Sequence, residues 1–109
     1  MFGRIPQVTV EELKQMRDRG DGPALLDVRE PHEYALADLP DSIKVPLGAL
    51  PRSLDKIPKD RELVVYCRSG ARSANAVQFL RQSGFDKAVN LAGGVNAWAA
   101  QIDPSMRQY

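Results

Sequence analysis

The residue types best suited to chemistry fall in one short run, Cys67-Arg68-Ser69-Gly70-Ala71-Arg72-Ser73. Cys67 is the only cysteine of the chain, and His32 the only histidine. A thiol with an unperturbed pKa of about 8.5 is only about 3% thiolate at neutral pH. Three features of the run favour the thiolate. Gly70 lets successive backbone N–H groups curl inward into an anion-binding nest. The helix expected to follow points its N-terminus at the sulfur. Arg68 and Arg72 add cations that never deprotonate. A pKa lowered by about 2 units, or about 2.7 kcal/mol, makes the thiolate the majority form. A lone cysteine ending a buried strand is more often a small apolar filler. The glycine, the two arginines and the strand–loop–helix context turn the reading of Cys67 toward a nucleophile.

The elements that must position this run can be read around it. Leu63-Val64-Val65-Tyr66 is the clearest strand, and it delivers Cys67 at its carboxyl end. A helix is expected from about Arg72 to Ser83, with Ala76, Val77 and Leu80 inward and Gly84 in the left-handed position beyond it. Thr9-Val10-Glu11-Glu12 reads as a capping box opening a helix to about Arg19. Ala24 to Val28, Ser42 to Val45 and Ala88 to Leu91 read as further strands, and Asp27 intrudes near the end of the first. Pro31 suits the first position of a short helix, and Leu50 to Leu54 a helical turn. Gly93-Gly94 opens a last helix carrying Val95, Ala97 and Trp98, with Trp98 expected in the core. Strands alternating with helices imply an α/β domain with a mainly parallel sheet, whose sites form beyond the carboxyl ends of the strands.

Composition narrows the class. The 109 residues suit one domain, 1–109, with a core over about residues 8–101 and a loosely ordered tail over 102–109. With 15 Lys and Arg against 14 Asp and Glu, the net charge is +1, and no basic excess points to nucleic acid or to an anionic membrane. One cysteine excludes an internal disulfide framework, and one cysteine with one histidine argues against a metal centre. No metal and no cofactor are expected. MFGRIPQVTV contains no apolar run of the signal-peptide kind, and no stretch approaches a bilayer span, so a cytoplasmic protein with a reduced thiol is expected. His32 reads as a surface residue. Lys56, Lys59, Asp60 and Arg61 read as a solvated loop.

Two segments together resemble the rhodanese-homology domain, the single-domain sulfurtransferase family. One is Leu25-Leu26-Asp27-Val28-Arg29-Glu30-Pro31-His32-Glu33-Tyr34 with Leu39-Pro40 and Val45-Pro46-Leu47. The other is Val64 through Ser73, with Gly84-Phe85 and Leu91-Ala92-Gly93-Gly94-Val95-Asn96-Ala97-Trp98. The resemblance extends over about residues 8–101. It is closer still to the C-terminal rhodanese domain of fused adenylyltransferase–sulfurtransferases, whose ending is similar to Ala97 through Pro104 and Tyr109. Where the family often has histidine, this chain has Asp38.

The resemblance implies a rhodanese-like fold, a five-stranded mainly parallel sheet flanked by helices on both faces. It implies transfer of a sulfane sulfur through a persulfide on Cys67, the catalytic residue. The backbone of Arg68, Ser69, Gly70, Ala71, Arg72 and Ser73 would cradle the outer sulfur. Arg68 and Arg72 would attract an anionic donor such as thiosulfate, and Asp27 and Arg29 would support the loop. A cysteine desulfurase as donor and a sulfur-carrier protein as acceptor fit the same scheme. Two other readings stand beside it. One is a phosphatase or arsenate reductase of the same fold, against which the Cys-x4-Arg spacing argues, because those enzymes use Cys-x5-Arg. The other is a non-catalytic binding module.

Overall fold

In the computed structural model, which describes residues 5–20 and 22–109, five parallel strands form one sheet. They are β1 (Gln7–Val8), β2 (Ala24–Asp27), β3 (Ile43–Lys44), β4 (Leu63–Tyr66) and β5 (Ala88–Leu91), in the spatial order β1-β5-β4-β2-β3. The helices are α1 (Val10–Asp18), α2 (Pro31–Tyr34), α3 (Ala71–Gln82) and α4 (Gly94–Gln101). The expected strands 63–66 and 88–91 appear with those bounds. β1 is an addition: its two residues are too few to show a periodic pattern, and they form a strand because the backbone of β5 lies beside them, pairing Gln7 with Asn90 and Val8 with Leu91. The helical turn expected at Leu50 to Leu54 becomes two 3₁₀ turns, Leu47–Arg52 and Leu54–Lys56.

The sheet is covered on both faces. In β4 the alternation of side chains sends Leu63, Val65 and Cys67 into one apolar cluster with Ala76, Val77 and Leu80 of α3. Val64 and Tyr66 enter the other, with Val10 and Leu13 of α1 and Val95 of α4. Trp98 is half-buried and packs on the second cluster instead of lying inside it. The capping box at α1 forms as expected: Glu12 N–H donates to Thr9 Oγ1 (3.1 Å) and Thr9 N–H to Glu12 Oε1 (2.8 Å). Because every strand runs the same way, Asp27, Tyr66 and Leu91 end β2, β4 and β5 at one edge of the sheet, where Cys67 follows β4. No helix among the described residues is long and apolar enough to cross a membrane.

Candidate active site

The chain leaves β4 at Tyr66 and enters α3 at Ala71, so four residues turn it through the site. Gly70 makes that turn with φ of +107°, a conformation open to glycine and costly for a residue with a Cβ. The first-turn amides of a helix have no partner within the helix, and here they find the sulfur. Gly70 N–H donates to Cys67 Sγ at 3.1 Å, Ser73 N–H at 3.4 Å, and the Ser73 hydroxyl lies at 3.3 Å. Cys67 is only 1% exposed. That burial pushes its thiol pKa up. The hydrogen bonds from the Ser73 hydroxyl and from the amides of Ser73, Gly70 and Ser69 more than offset it, and the pKa lies below that of an ordinary cysteine. The arrangement can stabilise a negative charge on sulfur.

Two further elements hold the loop in this shape. The N-terminus of α4 binds its carbonyls: Val95 N–H donates to Cys67 C=O (3.0 Å) and Asn96 N–H to Arg68 C=O (3.1 Å). With those carbonyls drawn outward, the amides of the loop are free to face the sulfur. The approach is close enough that a Cβ on Gly94 would lie 2.5 Å from both carbonyl oxygens. From β5, Asn90 donates through Nδ2 to Gly70 C=O (3.1 Å) and accepts from the Ser73 hydroxyl at Oδ1 (2.5 Å).

The two arginines of the loop do not act on the sulfur as the residue types alone suggest. Arg72, in the first turn of α3, is clamped by both carboxylate oxygens of Glu33 from α2, at 2.7 and 2.8 Å. That clamp overcomes the cost of burial, and further bonds from Glu30 N–H and the Tyr109 hydroxyl help hold the Glu33 carboxyl near a pKa of about 2. Arg68 is turned to Tyr109: its guanidinium lies 5.3 Å from the ring centroid and donates to the Tyr109 main-chain carbonyl. Hydrogen bonds therefore come before guanidinium charge in lowering the Cys67 pKa.

Arg29 is wholly buried against Asp27, with Nη2 at 2.8 Å from Oδ2 and Nε at 3.0 Å from Oδ1. Burial would raise the Asp27 pKa, but the Arg29 bonds and charge, with Lys44, bring it below the ordinary value. Arg29 also donates to the carbonyls of Glu33 and Ala37 and to the Tyr109 hydroxyl (2.9 Å), which in turn donates to Glu33 Oε1 (2.7 Å). The sequence-predicted pair Asp27 and Arg29 thus reaches the loop indirectly, through Glu33 and Tyr109 to Arg72. Asp38 pairs with Lys44, and His32 is exposed.

Within residues 102–109, Tyr109 is bonded through both its backbone and its side chain. Its backbone exchanges two bonds with the Asn96 side chain (2.9 and 3.2 Å), and its hydroxyl bridges Arg29 and Glu33. Glu33, Asn90, Gly94, Asn96 and Tyr109 are the positioning residues that sequence reasoning missed. Two carried a signal. Asn90 is a polar residue inside a buried strand, and Gly94 stands where a helix start ordinarily carries a side chain, marking close backbone approach. Glu33 and Tyr109 stand in the segments that carry the resemblance, but their roles were not readable, because Glu33 meets Arg72 across 39 positions and the Tyr109 hydroxyl meets Glu33 across 76.

Clefts border the fold among the described residues. One of about 400 Å³ lies away from Cys67, at the amino ends of β2 and β3, beside Arg17, Pro23, Ile43 and Arg61. Another, a shallow cleft of about 510 Å³, adjoins the cysteine loop between Gln7, Ser69, Gly70, Ala74 and Asn90.

Comparison with known proteins gives one consistent result. The family described as the Rhodanese-like domain matches residues 9–101. The chain is 40% identical over 95 residues to a sulfurtransferase of Allochromatium vinosum, spanning 87% of this chain and 89% of that protein. It is 38% identical over 104 residues to a probable adenylyltransferase/sulfurtransferase, MoeZ, of Mycobacterium tuberculosis, covering 94% of this chain but 26% of that protein. Among solved structures, a rhodanese-related protein from Thermoplasma volcanium superposes with a TM-score of 0.81 at 30% identity, covering 89% of this chain and 93% of the other.

Proposed function

The chain belongs to the rhodanese-like domain family, and from that membership we propose a sulfurtransferase that carries a sulfane sulfur as a persulfide on Cys67. One observation carries this reading: a buried sulfur surrounded by inward N–H and O–H donors, with its pKa lowered in spite of its burial. In the first step the Cys67 thiolate attacks the outer sulfur of a donor. A new S–S bond forms, the donor's bond to that sulfur breaks, and the leaving group departs with the electron pair, as sulfite from thiosulfate or as a thiolate from a protein persulfide. The amides of the loop that face Sγ stabilise the charge carried by the persulfide, on the principle of an oxyanion hole. In the second step a nucleophilic acceptor, cyanide in an assay or a thiol or sulfur-carrier protein in a cell, takes the outer sulfur and returns Cys67 as thiolate. With no second cysteine in the chain, the acceptor comes from outside it.

Arg68 and Arg72 give the loop a positive rim, while Ser69, Gly70, Ala71 and Ser73 supply its backbone cradle. Both guanidiniums are already partnered, Arg72 with Glu33 and Arg68 with Tyr109. A protein-borne persulfide, which is held by the donor protein's own surface rather than by an anion clamp, therefore suits the site better than free thiosulfate, and the cleft beside the loop offers such a donor or acceptor a place to rest. A cysteine desulfurase is a donor of this chemistry. The sulfurtransferase relatives that carry an adenylyltransferase domain favour a sulfur-carrier protein as acceptor. The Cys-x4-Arg loop is one residue tighter than the ring that admits a tetrahedral oxyanion, so no observation favours the phosphatase reading. Mass spectrometry after donor treatment tests the proposal: one added sulfur on Cys67, absent in Cys67→Ser, supports it, and unmodified reduced protein overturns it. Comparing kcat/KM for thiosulfate and for a desulfurase-bound persulfide then ranks the donors.

A further inference from the structure

The Ser73 hydroxyl has one proton and two acceptors. Its Oγ is 3.3 Å from Cys67 Sγ and 2.5 Å from Asn90 Oδ1, and both Ser73 and Asn90 are buried, at 0% and 5% exposure. Ser73 has no exposed surface, so its hydroxyl has no water partner that could relieve the competition. The Asn90 amide cannot turn over to relieve the competition, because its Nδ2 donates to Gly70 C=O at 3.1 Å and a turned amide would set oxygen against oxygen there. Two hydrogen-bond states follow. With Cys67 as a thiol, S–H donates to Ser73 Oγ and Ser73 O–H donates to Asn90 Oδ1, so the chain is complete. With Cys67 as thiolate, sulfur accepts the Ser73 hydrogen bond, and Asn90 Oδ1 faces an oxygen lone pair at short range.

We propose that Asn90 is a positioning residue that competes with Cys67 for the hydrogen bond of the Ser73 hydroxyl: it accepts that bond while Cys67 is a thiol or is sulfur-loaded, and loses it when the free thiolate forms. The part of the inference that concerns the sulfur-loaded state rests on Cys67 being the sulfur-accepting nucleophile. Once Sγ is bonded to a second sulfur, the charge sits on the outer atom, and the Ser73 hydrogen bond returns to Asn90. Asn90 thus opposes the free thiolate and favours the loaded state, which moderates a nucleophile that the loop amides would otherwise hold ionised. Of the other groups packed around Cys67, Arg72 of α3 carries charge but is held by Glu33 of α2. α4 presents amides to the loop carbonyls, and β5 presents Asn90 itself.

The test is the pH dependence of Cys67 alkylation by iodoacetamide in the full chain. Asn90→Leu should lower the titration midpoint by about one unit, a tenfold change in the thiol–thiolate equilibrium. Ser73→Ala should raise it, and Asn90→Leu should have no effect in the Ser73→Ala background. A role confined to bracing the loop through Gly70 predicts the opposite sign, since a splayed loop loses donors to sulfur. An unchanged or raised midpoint in Asn90→Leu, or an equal shift in the Ser73→Ala background, overturns the proposal. In the unaltered protein, the Asn90 side-chain carbonyl ¹³C resonance should titrate with the Cys67 midpoint and be flat in Cys67→Ala. A resonance that ignores the midpoint also overturns it, even if Asn90→Leu does not fold. None of these measurements needs a sulfur donor. A chain that shows the shifts yet loads no sulfur refutes the sulfur-carrier reading, not the competition for the Ser73 hydrogen bond.

Discussion

Alanine at position 94 would put a methyl group 2.5 Å from the carbonyl oxygens of Cys67 and Arg68 and 2.6 Å from the Arg68 carbonyl carbon. These are backbone atoms, so no side chain can swing aside. Ordinary contact begins near 3.4 Å, and the loop has to retreat by about 0.9 Å. The bonds from Val95 N–H to Cys67 C=O and from Asn96 N–H to Arg68 C=O, now 3.0 and 3.1 Å, would stretch beyond hydrogen-bond range. Two lost bonds at about 1 kcal/mol each, with about 1–2 kcal/mol for a non-glycine residue at positive φ, give about 3–4 kcal/mol of destabilisation. The same retreat turns the loop amides away from Cys67. A hydrogen bond to a charged group is worth about 1.5–3 kcal/mol, so losing one raises the thiolate midpoint by about 1–2 pH units. Urea denaturation reads the first effect and pH-dependent alkylation the second. Gly48→Ala is the control, since a Cβ there meets nothing within 4 Å. If Gly94→Ala keeps both the stability and the titration midpoint of the unaltered chain, the claim that α4 shapes the sulfur cradle fails.

Two other outcomes follow from the polar network. Tyr109→Phe removes the hydroxyl that accepts from Arg29 and donates to Glu33, and should cost about 1–3 kcal/mol in urea denaturation. An unchanged midpoint would show that the hydroxyl bridge between Arg29 and Glu33 contributes nothing to the fold. Glu33 is held near a pKa of about 2, chiefly by the Arg72 clamp acting against burial, compared with an ordinary 4.5. Because its folded pKa is depressed, its contribution to stability is fully present above about pH 4.5 and is lost as pH falls toward 2. The stability difference between the unaltered chain and Glu33→Gln should therefore shrink steadily over that interval, as measured by denaturant midpoints at successive pH values. A constant difference across it would contradict the ion-pair assignment.

Much of the fold was legible because its signals are local. The apolar runs at 63–66 and 88–91, the Thr9–Glu12 box and the left-handed Gly84 each depend on neighbours a few positions away, and each forms as read. β1 was not legible, since two residues become a strand only when β5 is there to pair with them. Cys67 and its donors at Gly70 and Ser73 were legible for the same local reason: a strand end, a glycine turn and a helix start are contiguous in sequence.

The sequence by its local order fixes the chemistry on offer: one thiol, placed by the β4–α3 junction where backbone amides converge, in a chain whose single cysteine has no second cysteine to pair with. Where the charges went was settled by packing between distant parts of the chain. Arg68 and Arg72 read as free cations beside the sulfur, but Tyr109 and Glu33 take them up. A guanidinium donates to whichever acceptors its geometry reaches, and those acceptors come from distant parts of the chain. The amides cannot be diverted in that way, because the turn itself aims them at Cys67.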